Sequence, residues 1–299
     1  MKILISGSRG LVGKRLTQHF SEAGSTVVPI TRTHTDEPLS DAVAWNPASG
    51  WFDTKAMEQA DVVIHLAGDN IADGLWTRKK KQRITTSRIQ GTAHLAEALS
   101  QLKSPPKTFF CASATGFYGT KVFDPATESS PPGKGFLAET CQAWETEALR
   151  VQERGIRTIL LRFGVILDPA GGALKKMWLP FRLGLGGRIG KGRQYFPWIA
   201  APEIPPILDF LIHKAPDAQG PINIVAPQAV TNAQFTQTLA RYLHRPAVIP
   251  VPAILIRLAL GEMGRETLLA SGHIHPEKLT TLGYPFHYPQ LTQALDSTS

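Results

Sequence analysis

Cysteine is scarce in this chain, with only Cys111 and Cys141 among 299 residues, and this scarcity argues against a disulfide-stapled fold. Both cysteines lie inside apolar patterns, so we interpret them as reduced packing residues. Long hydrophobic runs are missing as well, because no apolar segment reaches the length needed to cross a bilayer. The N-terminus enters a strand without the layout of a signal peptide. We therefore predict a cytoplasmic protein without a membrane partner.

Acidic residues are fewer than basic ones, and the net charge is +8. This balance attracts anionic ligands. The basic residues are nevertheless dispersed and no nucleic-acid motif is present, so we predict no nucleic-acid partner. The one dense cluster, Arg78–Arg83 (RKKKQR), is interpreted as a solvated helix face, with a phosphate-bearing partner left open. We predict no metal site.

The content of 42% hydrophobic residues fits one large domain or two interleaved ones. Strands and helices alternate up to Gly164, which predicts an α/β fold with a doubly wound, parallel, Rossmann-type sheet. The predicted strands of this part are Lys2–Ile5, Thr26–Ile30, two short strands within Val43–Asp53, Asp61–Leu66, Lys107–Ser113 and Arg157–Phe163. The predicted helices are Gly10–Ala23, Thr77–Leu102 and Gly135–Arg154.

The character of the chain changes after Gly164, where prolines and glycines become frequent. The predicted elements are helices at Ala173–Leu185, Ile204–Lys214, Asn232–Leu243, Ala253–Met263 and Pro276–Thr281, and a strand at Pro221–Val225. We predict a dinucleotide-binding domain at 1–164, completed by segments near 199–230. Residues 165–299 form a smaller, mixed substrate-side region that includes a C-terminal module at 249–296.

A glycine-rich turn connects the first strand to the first helix. Its sequence is Gly7-Ser8-Arg9-Gly10-Leu11-Val12-Gly13, with glycines spaced G-x-x-G-x-x-G. Glycines allow a tight turn and a close approach of the backbone to phosphates, and the free N–H groups of the helix start face the anion. The pattern and its position predict that Gly7–Gly13 binds a dinucleotide pyrophosphate.

The end of the second strand indicates which dinucleotide is bound. An NAD site carries a carboxylate there for the ribose hydroxyls, whereas this chain has Arg32. A guanidinium can hold a 2′-phosphate with two hydrogen bonds, and Arg9 would add a second positive group. We therefore predict NADP(H) as the cofactor. The alternative is that both arginines are only solvated surface residues.

Three landmarks occur in one order: Gly7–Gly13, His65–Gly68 and Ala112–Gly119 (ASATGFYG). With them the chain resembles the extended short-chain dehydrogenases/reductases, the superfamily of nucleotide-sugar epimerases. Further segments resemble an atypical branch described as an NADP-dependent nucleoside-diphosphate-sugar epimerase family, some of whose members are labelled cell-division inhibitors. These segments are Ile71–Thr77, Ser87–Thr92, Phe136–Glu145, Leu179–Ile199, Val230–Phe235, Ile249–Met263 and Leu282–Leu291. The resemblance covers nearly the whole chain.

The resemblance implies further cofactor contacts. Thr31 and Arg32 would hold the 2′-phosphate end, Leu66 and Ala67 would line the adenine–ribose cleft, and Gly68 is a further cofactor-binding residue. The residues that fall at the remaining cofactor contacts of the branch are Arg83, Arg88 and Ile166. His65 is interpreted as a core histidine rather than a base.

The same resemblance fails at the catalytic helix. The superfamily uses a Tyr-x-x-x-Lys pair with a serine or threonine that orients the substrate. Ser113 and Thr115 are candidates for the orienting role, but Leu137 and Cys141 fall at the tyrosine and lysine positions. A one-residue shift of this alignment gives no better pair. Candidates for a substitute acid–base group are Tyr118, Glu139 and Cys141, and Tyr118 is kept as a candidate catalytic residue. The alternative is that Tyr118 packs beside the substrate pocket and Glu139 faces solvent.

A basic, glycine-rich stretch indicates the substrate. Arg188, Arg193 and Gln194, together with Arg182 and Lys191, lie in the region that faces the nucleotide diphosphate in the superfamily, although a solvated loop is the alternative. We predict an NADP(H)-dependent oxidoreductase or epimerase acting on a sugar nucleotide or a similar small molecule with a carbonyl or hydroxyl group. The alternative is a non-catalytic NADP(H)-binding regulator. Homo-oligomerisation is left open.

Overall fold

The computed structural model describes residues 1–297, and its centre is an eight-stranded sheet. The strands are β1 Lys2–Ser6, β2 Thr26–Arg32, β3 Val43–Asn46, β4 Trp51–Phe52, β5 Val62–His65, β6 Thr108–Ala114, β7 Lys121–Ala126, β8 Arg157–Phe163, β9 Val165–Leu167, β10 Tyr195–Phe196, β11 Trp198–Ala200, β12 Gly220–Ile224, β13 Val230–Thr231 and β14 Ser271–Ile274. The helices are α1 Leu11–Glu22, α2 Thr54–Met57, α3 Arg78–Ser100, α4 Phe136–Leu149, α5 Gly172–Arg182, α6 Ile204–His213, α7 Asn232–Tyr242, α8 Ala253–Glu266, α9 Glu277–Thr281 and α10 Leu291–Asp296.

The central sheet has the strand order β12-β8-β6-β5-β1-β2-β3-β4. Its pairs are parallel except for the short β3–β4 hairpin. Strand β1 lies in the middle, with β2 on one side and β5 on the other, so the direction of winding reverses there. The predicted doubly wound sheet is confirmed. Ligands of such sheets bind in the crevice at the carboxyl ends of the strands beside this reversal.

Helices cover both faces of the sheet, and the alternating side chains of β1 show the division. Ile3 and Ile5 pack with α1 and α6 in one apolar cluster, which includes Leu16. Leu4 points to the other face and packs with α3 and α4 in a second cluster, which includes Leu95. Both clusters are buried, so the carboxyl edge of the sheet rests on a core that is packed on both sides.

Small elements outside the central sheet were missed in the sequence. Strands β7 and β14 pair in parallel, β9 pairs with β11, and β10 pairs with β13 in antiparallel fashion. These strands are two to six residues long, too short for reliable periodicity. The predicted helix Gly135–Arg154 ends as an α-helix at Leu149 and tightens into a 3₁₀ turn through Arg154. Gly155 then closes the turn with a φ of +73°.

Candidate functional site

The glycine-rich turn is built so that only glycine fits at its contact points. Gly7 has a φ of +69°, and a Cβ there would lie 3.0 Å from the backbone carbon of Leu66. A Cβ on Gly13 would overlap the carbonyl oxygen of Gly7. Gly10 N donates to Gly7 O at 2.9 Å, and α1 starts directly afterwards. No side chain of the described residues caps α1, so the first N–H groups of the helix are left available to an anion. This geometry fits a pyrophosphate.

The carboxyl end of β2 is positively charged. Arg32 is exposed there, and Arg9 is exposed on the glycine turn. Asp36, the first carboxylate after β2, accepts hydrogen bonds from Asn46 Nδ2 and Ser49 Oγ, both at 2.7 Å. The Asp36 carboxylate is therefore engaged within the protein and does not take the place of the ribose-binding carboxylate of an NAD site. Beside the turn lies a surface cavity of about 360 Å³ between α1 and β2. Its lining residues are Ser8, Arg9, Lys14, Thr17, Gln18, Val27 and Pro29.

Ser6, the last residue of β1, fixes the backbone at the end of β5. Its Oγ accepts the N–H groups of Leu66 at 3.0 Å and Ala67 at 3.2 Å. The same hydroxyl lies 2.7 Å from His65 Nδ1. His65 is fully buried, and burial lowers its pKa to about 4. It is therefore neutral at physiological pH and occupies the core, as predicted.

A cluster of cations surrounds Asp69 in the segment after β5, and Lys80 is its buried member. The Arg88 guanidinium packs against Gly68, where a Cβ would lie 3.2 Å from Cζ, and it donates to Asp69 O at 2.9 Å. Lys80 Nζ lies 2.9 Å from Asp69 Oδ2, and Arg83 Nε lies 3.5 Å from the same oxygen. Burial alone would raise the pKa of Asp69, but the Lys80 ammonium and the two arginines lower it overall. Asp69 therefore stays ionised.

The structure corrects the interpretation of the Arg78–Arg83 cluster as a solvated face. Arg83 is 60% exposed on its side chain, but the side chain of Lys80 is only 5% exposed and joins the site. Lys80 Nζ also donates to Asn70 O at 2.6 Å. Helical geometry turns Lys80 inwards and leaves Lys81 half-buried, while the other four residues of the run are exposed.

Ile166 on β9 lies close to the glycine-rich turn. A Cβ on Gly172 would contact both Leu11 Cδ2, at 3.5 Å, and Ile166 O, at 3.7 Å, so the turn and β9 lie close to each other. Arg15 of α1 donates to the buried carboxylate of Asp168 at 2.6 Å and 2.8 Å. This ion pair fixes β9 and its following turn to α1. Leu11 and Ile166, both predicted cofactor residues, are brought together.

Ser113 lies at the carboxyl end of β6, and its hydroxyl is already bonded within the protein. It donates to Glu145 Oε1 at 2.6 Å. Arg162 holds the same carboxylate through Nε and Nη2, each at 2.8 Å. The Glu145 carboxylate therefore accepts from both the Ser113 hydroxyl and the Arg162 guanidinium. The Ser113 oxygen is consequently an acceptor toward any ligand.

Tyr118 is buried in the same network. Arg162 Nη1 donates to its hydroxyl at 2.8 Å, and the hydroxyl donates to Asn223 Oδ1 at 2.7 Å. Burial raises the pKa of Tyr118, and this effect outweighs the lowering by Arg162. Its proton is therefore used inside the protein. Thr115 is half-buried in the 3₁₀ turn between these residues.

Helix α4 carries neither tyrosine nor lysine on its 14 residues. Cys141 is buried, and burial raises the pKa of its thiol to about 11, so it stays protonated. Glu139 faces solvent. Glu266 of α8 accepts the N–H groups of Phe136 at 2.9 Å and Leu137 at 2.8 Å, which caps the helix from the C-terminal region.

The predicted substrate residues lie on the loop between α5 and β10. Arg188 and Arg193 are exposed. Gln194 is instead turned inwards, where its Nε2 donates to Ile189 O at 3.2 Å and Leu268 O at 3.3 Å. Its amide therefore holds the loop in place.

Sequence reasoning missed Arg162, Lys80 and the bracing role of Ser6. Arg162 carried a signal, since a charged residue inside the apolar run RTILLRF is rarely buried without a partner. The burial of Lys80 could not be predicted, because it lies in a run of basic residues that look alike in the sequence. The role of Ser6 could not be predicted either, because a serine before a glycine-rich turn is not a recognisable signal.

The central strand of this doubly wound sheet is followed by the glycine-rich turn Gly7–Gly13, which we call the glycine cradle, and the neighbouring strand β2 ends in a positive charge. These features together define the class of dinucleotide-binding proteins. Residues 3–224 match the model of the NAD dependent epimerase/dehydratase family, and residues 251–298 match a domain of unknown function. The chain belongs to the NAD-dependent epimerase/dehydratase family, which confirms the predicted resemblance and its separate C-terminal module.

Relatives agree with this assignment over the full length of the chain. An epimerase family protein of Mycobacterium bovis is 39% identical over 293 residues, covering 98% of this chain and 96% of the relative. The crystal structure of human epimerase family protein SDR39U1 with NADPH has a TM-score of 0.89 at 32% identity, covering 100% and 99% of the two chains.

A second structure comes from Corynebacterium glutamicum and is described as a nucleoside-diphosphate sugar epimerase. It has a TM-score of 0.79 at 32% identity, and the match covers 99% of this chain but 57% of that longer one. The NADPH of the human structure agrees with the cofactor predicted from Arg32. Within residues 1–297, no helix has the length and apolar content to span a membrane.

Proposed function

We propose that the chain is an NADP(H)-dependent oxidoreductase or epimerase that acts on a sugar nucleotide. Family membership, the glycine cradle and the NADPH in the human relative support the cofactor. The description of the Corynebacterium relative supports a nucleoside-diphosphate sugar as substrate class.

The cofactor would lie across the carboxyl edge of the sheet. The N–H groups at the start of α1 would bind the pyrophosphate, while Leu66, Ala67 and Gly68 would line the ribose cleft. The remaining contacts in this proposal are Ser8, Arg9, Val12, Thr31, Arg32, Arg83, Arg88 and Ile166. The positive charge at the end of β2 supports NADP(H) rather than NAD(H). Arg32 and Arg9 are exposed there, and Lys14 lines the adjoining cavity. Asp36 already accepts hydrogen bonds from Asn46 and Ser49.

Bound NADP(H) supplies or accepts a hydride, and the protein must position the other reactant. Because the Ser113 proton is donated to Glu145, the Ser113 oxygen is suited to accept a hydrogen bond from a substrate hydroxyl. Thr115, half-buried beside it, is a second orienting group. Arg188 and Arg193 would pair with the diphosphate, while Gln194 shapes their loop.

A non-catalytic NADP(H)-binding regulator is the second candidate, and one observation favours it. Helix α4 has no tyrosine or lysine, and the proton of the buried Tyr118 hydroxyl is given to Asn223. The hydroxyls of Ser113 and Tyr118 therefore donate to internal partners, and α4 offers no tyrosine or lysine to donate a proton to substrate in their place.

Hydride transfer separates the two candidates. The protein would be incubated with NADP⁺ and with UDP-glucose or UDP-glucuronic acid that carries deuterium at C4 of the sugar. Oxidation of the C4 alcohol passes the deuteride to NADP⁺, so a gain of NADPH absorbance, label in the cofactor or formation of the C4 epimer would be followed. An enzyme transfers the label, and Ser113→Ala should slow that transfer whereas the exposed Ser129→Ala should not. Tight NADPH binding without label transfer from either sugar nucleotide would support the regulator instead.

A further inference from the structure

Two long stretches of the chain carry no negative side chain. Residues 169–202 and 218–261 contain no aspartate or glutamate. The first stretch carries six lysines and arginines and the second carries three arginines. Such one-signed stretches are informative if the fold brings them together.

The fold does bring them together. Val251 N donates to Arg188 O at 2.8 Å, and Gly190 N donates to Val251 O at 2.8 Å. Arg245 Nε donates to Arg182 O at 3.0 Å. The end of α5, its following loop and the start of α8 therefore form one continuous surface.

Large aliphatic side chains project from this surface. Six of them are between 56% and 80% exposed, and none is aromatic: Leu179, Leu183, Leu185, Val248, Ile254 and Leu258. We call this surface, with the exposed Arg182 and Arg257, the apolar–basic face. Apolar residues exposed in such a group mark an interaction surface.

The arginines of the apolar–basic face have no countercharge of their own. No ion pair within residues 1–297 engages Arg182 or Arg257. Helix α8 kinks at Gly261, and the part after the kink is anchored, because Glu262 binds Lys81 Nζ at 2.9 Å and Glu266 caps α4. The part before the kink carries the exposed aliphatic side chains beside the unpaired Arg257.

We propose that the apolar–basic face binds the surface of an anionic lipid bilayer. Aliphatic side chains would enter the headgroup boundary while the arginines pair with anionic lipids. The sequence prediction of no membrane partner rested on the length needed for a span, and a peripheral contact needs no span.

The charge and the side-chain types of the apolar–basic face favour an anionic bilayer over a second copy of the chain and over a specific protein partner. A second copy of the chain would place the same cations opposite each other around a two-fold axis. A specific protein partner usually binds around aromatic anchors in pockets, and the exposed large side chains of this face are aliphatic.

Vesicle flotation tests the proposal with the full chain. Vesicles of phosphatidylcholine with one-third phosphatidylglycerol should retain at least tenfold more protein than pure phosphatidylcholine vesicles at low salt, and added salt should reduce the difference. Leu258→Glu and Arg257→Glu should each lower binding several-fold. Phe123→Glu is the matched control, since Phe123 is 56% exposed on β7, and it should bind like the parent chain.

Thermal melting would confirm that each variant remains folded. Equal binding to both kinds of vesicle, absence of binding to either, or unchanged binding by Leu258→Glu would overturn the proposal. A concentration-dependent dimer that Leu258→Glu abolishes would assign the face to a second copy and also overturn it.

Discussion

The phosphate end and the reaction end of the crevice are built by opposite means. At the phosphate end, glycines expose backbone N–H groups that no described side chain caps. At the reaction end, the hydroxyls of Ser113 and Tyr118 already donate to Glu145 and Asn223. The phosphate end therefore offers free N–H donors to an anion, whereas the hydroxyl donors of the reaction end are engaged in hydrogen bonds within the protein. Cofactor binding and proton transfer are therefore separable properties of this crevice.

The largest effect should come from breaking the buried network of the reaction end. Glu145→Ala leaves the Arg162 guanidinium buried without a countercharge, which should lower the free energy of unfolding by about 3–5 kcal/mol. Glu139→Ala, on the exposed side of the same helix, should change it by less than about 0.5 kcal/mol. Chemical denaturation measures both, and similar losses in the two variants would contradict the role given to the network.

At the phosphate end, the backbone contact itself can be blocked. A methyl group on Gly13 overlaps Gly7 O, so Gly13→Ala should weaken NADPH binding about 100-fold or more, equivalent to about 2.7 kcal/mol. Gly10→Val should also abolish binding by filling the approach to the phosphates. Calorimetric titration measures both constants, and retained affinity in either variant would mean that the turn does not hold the cofactor.

The selectivity of the same end depends on a side chain. Arg32→Ala should weaken NADPH by about 10- to 100-fold, corresponding to about 1.5–3 kcal/mol for a charged hydrogen bond, and should leave NADH nearly unchanged. Arg154→Ala removes an exposed arginine far along the chain and serves as the control. Equal losses for both cofactors would contradict the 2′-phosphate assignment.

The smallest effect concerns His65, beneath the segment that follows β5. Its pKa of about 4 in the folded protein lies below the unfolded value of 6.5, so the unfolded chain binds the proton first. Stability from this group is present above pH 6.5 and is lost as the pH falls toward 4, by up to about 2 kcal/mol at pH 5. His65→Asn should remove this part of the pH dependence of unfolding. An unchanged pH profile in this variant would contradict the lowered pKa of His65 in the folded protein.

The sequence predicted the doubly wound sheet because long buried strands and amphipathic helices keep clear periodicity. The glycine turn was predictable for a local reason, since its spacing lies within seven residues. The reaction end was not, because Glu145, Arg162 and Asn223 are far apart in the chain and meet only through β6, β8 and β12. The inward turn of Lys80 also depended on packing rather than on its basic neighbours.

Calorimetric titration of the unmodified chain with NADPH and NADH tests the central claim that a glycine cradle and a guanidinium together select the phosphorylated cofactor. We predict saturable NADPH binding in the micromolar range, at least tenfold tighter than NADH. No uptake of NADPH at millimolar concentration, or equal affinity for the two cofactors, would contradict it.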